Sequence, residues 1–207
     1  MTRMMIVASL TIAVVAMMSP AWGDSKELNC SVSDPTGDAT AGQPYQDIVT
    51  AGITTKSGVF TFAMDLAAAI PENPPLPGGS SGALNWVWGM DTDPGFVSGY
   101  PLPPGWVQPT EFVIQVFVDK AGFHAQLVDR RPTSDLNEKQ KPIIYPLAFS
   151  VRGSHIQTQA DASLMDNPSS FGWGAAADSW SGNFGGNSFT PVDHAPDMPP
   201  VACPLMP

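Results

Sequence analysis

The sequence predicts a single-domain, all-β protein, a β-sandwich of jelly-roll type with seven to nine strands. Three observations lead there. Short apolar runs alternate with polar residues at a period of two, which sends successive side chains to opposite faces of an extended chain. Turn-forming residues separate these runs, and 22 prolines with 19 glycines in 207 residues leave little room for long helices. A hydrophobic content of 43% still suffices for a core, which argues against a disordered chain.

Each element follows from that period. Phe60, Phe62, Met64 and Leu66 share one face, with Thr61, Ala63 and Asp65 on the other. Leu84, Trp86, Trp88 and Met90 repeat the pattern against Asn85, Val87 and Gly89, so the two tryptophans are expected in the core. Phe112, Ile114, Val116 and Val118 do so again, and Asp119-Lys-Ala-Gly122 supplies turn residues before Phe123, Ala125 and Leu127. This is the clearest hairpin. Further strands are expected near 46–54, 143–151, 154–160 and 171–178, with single helical turns near 66–70 and 161–165. The Pro/Gly-rich stretches 71–82 and 93–109 read as long loops, where binding groups tend to sit. Residues 181–207 read as an extended tail.

Residues 1–23 read as a secretory signal: Arg3 is followed by the uncharged run Ile6 to Met18 and by the small-x-small site Ala21-Trp22-Gly23. The apolar run is shorter than the ~20 residues of a spanning helix. The domain is therefore expected over 24–207, secreted or periplasmic, with no membrane span after processing. Cys30 and Cys203 are the only cysteines, and in an exported chain they are expected to form a disulfide tying the two ends together. The formal charge of -10, which loss of Arg3 would make more negative, excludes nucleic acid as a partner.

Acidic residues gather in three groups: Asp34-Pro-Thr-Gly-Asp38 with Asp47, Asp91-Thr-Asp93, and Asp193-His-Ala-Pro-Asp197. A Cys30–Cys203 bond would bring the first and third to one end. Carboxylates meeting there would repel unless a cation joined them, and calcium is the hard cation for oxygen ligands outside the cell. One reading makes Asp34, Asp38, Asp47, Asp193 and Asp197 calcium ligands; the other makes them turn and strand-end caps.

Candidate ligand-binding residues fall in two places. Tyr100 and Trp106 lie in the loop over 93–109 and Trp180 follows a strand; such rings either stack on a sugar or plug the ends of the sandwich. Gln115, Phe117, His124 and Gln126 share the second face of the hairpin, either as a ligand surface or as an ordinary solvated face. Catalytic templates fail. Gly78-Gly-Ser80-Ser-Gly82 matches G-x-S-x-G outside the strand-to-helix context that the motif needs. A carboxylate pair for glycoside hydrolysis is set by space and not by spacing, so an exported jelly-roll enzyme using Asp91, Asp93, Glu111 or His124 stays the alternative to a binding protein.

In order along the chain, Asp34-Pro-Thr-Gly-Asp38, Asp47-Ile48, Asn85-Trp-Val-Trp-Gly-Met-Asp91-Thr-Asp93, Asn167-Pro-Ser-Ser-Phe-Gly-Trp173 and Asp193-His-Ala-Pro-Asp197 resemble the exported DOMON-like and family 9 carbohydrate-binding-like β-sandwiches. The resemblance implies a sandwich that binds carbohydrate or a cell-surface glycan and carries calcium. In a cytochrome branch it implies haem, for which Met64, Met90 and His124 are the strand-borne candidates.

Overall fold

A computed structural model describes residues 28–93, 95, 110–133, 141–181, 189–196 and 201–204. In these the period-two runs become β1 (Leu28–Ser33), β2 (Ile48–Lys56), β3 (Val59–Leu66), β4 (Ala83–Asp91), β5 (Phe112–Asp119), β6 (Gly122–Asp129), β7 (Ile143–Pro146), β8 (Ala148–Arg152), β9 (His155–Asp161), β10 (Ser170–Trp180), β11 (Phe189–Ala195) and β12 (Val201–Pro204). One antiparallel sheet has the order β1-β2-β3-β9-β8. The other runs β11-β10-β4-β5-β6-β7, with β12 also beside β10. The two sheets form a sandwich, as the alternation predicts.

The core lies between them. Trp86, Trp88, Met90, Ile114, Val116 and Trp173 from the larger sheet meet Ile53, Phe60, Phe62, Met64 and Ile156 from the smaller one, all buried. Phe62 and Trp88 pack across the interface with ring centroids 6.0 Å apart. Trp86 also satisfies its indole N–H, which donates to the Tyr45 carbonyl at 3.1 Å. The Asp119 to Gly122 turn joins β5 to β6 as expected, and Ala121 N–H donates to Asp119 Oδ1 at 2.7 Å.

Twelve strands among the described residues exceed the predicted seven to nine, for identifiable reasons. The run 143–151 is two strands in different sheets. Pro146 ends β7 because it has no N–H to continue a ladder, and Leu147 N–H then donates to the Ala125 carbonyl at 3.0 Å as the chain crosses over. The segment read as a tail contains β11 and β12, which share one edge of β10: β12 pairs with Ser170 to Trp173 and β11 with Ala175 to Trp180. Short strands of this kind carry too few alternations to show a period. The helical turn near 66–70 does not form, because the amides of Leu66, Ala67 and Ile70 donate to Ser154, Asp47 and Gly153 instead of to each other. The one at Ala162–Met165 does form, as a 3-10 turn capped by Asp161, whose Oδ1 accepts from Ser163 N–H at 2.8 Å.

Cys30 on β1 and Cys203 on β12 form the expected disulfide, with Cα atoms 6.0 Å apart. It joins the edges of the two sheets on one side of the sandwich, and Leu147 closes the other. No helix among the described residues is long and apolar enough to cross a membrane. Residues 1–23, and Tyr100, Trp106 and Asp197, lie outside the described residues.

Candidate functional site

The first candidate region is acidic. Asp34 follows β1, Asp47 precedes β2 and Asp193 lies on β11; all three are buried, while Asp38 is exposed in the intervening turn. Carboxylate oxygens of Asp34, Asp38 and Asp193 lie within 4.8 Å of one another. They meet because β11 packs against β2: Ile48 N–H donates to Asp193 Oδ2 at 2.6 Å, and Thr40 N–H donates to the Val192 carbonyl at 2.9 Å. The disulfide holds the same edges together.

Capping and convergence coexist here. Asp193 Oδ1 accepts from His194 N–H at 2.9 Å, and Asp47 Oδ2 accepts from Gly37 N–H at 2.8 Å. Asp47 Oδ1 is buried with no hydrogen bond. Burial pushes the Asp193 carboxyl up to about 6 against the pull of its two amides, with the Asp38 and Asp47 charges adding to the rise. Beside Asp47 the 37–47 loop lines an open hollow of about 220 Å³.

The second region is the outer face of the larger sheet. Gln115 pairs with Gln126 and Phe117 with His124, directly across the β5–β6 ladder. The Phe117 and His124 rings stack with centroids 5.1 Å apart, and His124 Nε2 lies 3.3 Å from Asp119 Oδ1. Asn85 is opposite Phe117, and Asp178 is opposite Asn85. A single row across four strands therefore reads Asp178, Asn85, Phe117, His124. Trp180 sits one step further along β10 on the same face, against Phe189 with centroids 5.0 Å apart. It is two strands from Phe117, about 10 Å across the sheet.

Burial divides these residues. Phe117, His124, Gln126 and Trp180 are half-buried, whereas Gln115 is only 5% exposed. Every residue of β4 is buried, so Asn85, Val87 and Gly89 on the outer face are as inaccessible as the tryptophans behind them.

The carboxylates of the enzyme reading are occupied otherwise. Glu111 is 1% exposed and closes the turn after β4: its Oε2 accepts from Thr92 N–H at 2.9 Å and its Oε1 from Thr92 Oγ1 at 3.1 Å. Burial raises both Asp91 and Glu111 above the usual carboxylate range. Asp93 is exposed and accepts from Gly95 N–H at 2.9 Å. His124 pairs with Phe117, six residues along β5 from Glu111 or roughly 20 Å, so it shares no site with them. Gly78 to Gly82 is a turn leading into β4, where a Cβ at Gly82 would collide with the Pro77 carbonyl; the match to G-x-S-x-G thus has a steric cause. The haem candidates also separate, since Met64 and Met90 lie in the core and His124 on the outer face.

Sequence reasoning missed Asp178. Asn85 Nδ2–H donates to Asp178 Oδ2 at 3.3 Å, and the carboxyl is 1% exposed. The signal was an acid embedded in Gly-Trp-Gly-Ala-Ala-Ala-Asp-Ser-Trp, a run otherwise fit for a strand buried on both faces. Compared with family models, with curated proteins and with solved structures, the chain matches none of them.

Proposed function

We propose that the protein is an exported, non-catalytic β-sandwich that binds carbohydrate or a cell-surface glycan on the outer face of its larger sheet. The observation that carries this reading is the stacked Phe117–His124 pair beside Gln126, half-buried on one sheet face. A flat ring offers a surface for the C–H face of a sugar, and the amide and imidazole offer directional hydrogen bonds at its edge. Trp180 extends the same face toward the β10–β11 edge. Export agrees with the disulfide, because such bonds persist in oxidising compartments. Of the carboxylates that would serve a hydrolase, Asp91 and Glu111 are buried and Glu111 is tied to Thr92, which favours binding over turnover.

Calcium at Asp34, Asp38, Asp47 and Asp193 belongs to this reading as a structural ion. Hard oxygen donors, three of them mutually within 4.8 Å, and the buried Asp47 Oδ1 without a hydrogen bond support it. The test of the whole is binding to a glycan array by the wild type and by Phe117→Ala and Gln126→Ala. Retained glycans lost in both variants support the reading; release of reducing ends from a polysaccharide would replace it with the hydrolase.

A further inference from the structure

Asp178 lies on β10, the second strand of the larger sheet, with β4 on one side and the edge strand β11 on the other. Its neighbours are neutral. Asn85 faces it from β4, Trp180 hydrogen-bonds it from its own strand, and Pro191 is opposite on β11. Gln46 Nε2–H approaches from the turn at Pro44–Gln46, but donates to the Asp178 main-chain carbonyl and to Ser179 Oγ. The titratable groups of β11 lie elsewhere: His194 is in register with Ala176, and Asp193 is in register with Ala177 on the inner face. On β5 and β6, Asp119 and His124 are two and three strands away. No basic group among the described residues pairs with the carboxyl.

A carboxylate taken out of water without a cation is costly enough that proteins neutralise it instead. Acceptor counting points the same way. Asn85 Oδ1 is buried without a donor, while its Nδ2–H already donates to Asp178 Oδ2. One proton on the carboxyl removes the charge and supplies a donor that this acceptor-rich pair lacks.

We infer that Asp178 is a neutral carboxylic acid in the folded protein, hydrogen-bonded to Asn85, and that loss of this proton to solvent is an alkaline switch that loosens the pairing of β10 with β4. Burial alone is enough to push the group up to about 8, opposed only by its bonds to Trp180 and Asn85. Because Asn85 is the cross-strand neighbour of Phe117, the switch acts beside the half-buried ring pair. The inference does not rest on the carbohydrate reading, and its test uses no ligand.

The experiment is a titration of the wild-type protein, labelled with ¹³C at aspartate carboxyls, from pH 4 to 10, with near-ultraviolet circular dichroism recorded in parallel. The expected result is one carboxyl that titrates near pH 8, accompanied by a change in the tryptophan signal, with both features absent from Asp178→Asn. All aspartates ionised below pH 7, or an alkaline transition retained in Asp178→Asn, would overturn it.

Discussion

The acidic cluster and Asp178 both hold buried carboxylates, yet they handle the charge in opposite ways. Asp193 and Asp47 sit at the sandwich edge and accept backbone amides, and burial raises the Asp193 carboxyl with the nearby Asp38 and Asp47 charges adding to the rise. Asp178 has no acidic neighbour among the described residues, and desolvation is what raises it. A cluster of anions is relieved by a cation that several of them share. A lone anion buried within a sheet is relieved by a proton. The comparison teaches that the number of carboxylates in reach, and not burial by itself, decides which cation a site wants.

The largest expected effect separates the regions by pH. The Asp178 carboxyl is raised from its ordinary value near 4 to about 8, so between those limits the folded state holds one proton more than the unfolded state. The contribution of this group to stability is therefore greatest in acid, falls as pH rises, and is lost above about pH 8. Denaturant unfolding of the wild type and Asp178→Asn should diverge by roughly 1.4 kcal/mol per pH unit across this range, in favour of the variant as pH rises. A constant difference would place the pressure on some other group.

Second, Cys30→Ser with Cys203→Ser should cost about 2–5 kcal/mol, because the bond joins residues 173 apart in sequence and two different sheets. It should weaken any response to calcium, whose ligands lie at that edge, and leave the alkaline transition intact. Third, calcium at a hundred times its dissociation constant should stabilise the protein by roughly 2.7 kcal/mol. A chelator should reverse that rise in Tm, Asp193→Asn should abolish it, and Asp178→Asn should not touch it. Equal melting with and without chelator would return the four aspartates to capping alone. The smallest effect is on the exposed face, where Phe117→Ala should weaken glycan binding by about 1 kcal/mol, roughly five-fold in Kd, with Tm little changed.

Much of the architecture is legible in the sequence. The alternations at Phe60 to Leu66, Leu84 to Met90 and Phe112 to Val118 correctly separated core from outer face, including the buried pair Trp86 and Trp88. The disulfide followed from two cysteines near the ends. The partition of burial on the outer face was not legible. Gln115 and Gln126 are chemically alike and directly paired, yet one is buried and the other half-buried. Their difference comes from position: β5 lies next to the wholly buried β4, whereas β6 has the short edge strand β7 as its outer neighbour.

What the sequence by itself determined is what depends on the local chain: strands from a period of two, turns from Asp, Gly and Pro, and which side chains share a face. Only the tertiary structure decided the sheet change at Leu147, the pairing of β11 and β12 along one edge of β10, the meeting of Asp34, Asp38 and Asp193, and the isolation of Asp178 beside Asn85. The reason is physical. Alternation is carried by consecutive residues, whereas a carboxylate's neighbours, and the water left around it, are set by segments far apart in the chain, 145 residues in the case of Ile48 and Asp193.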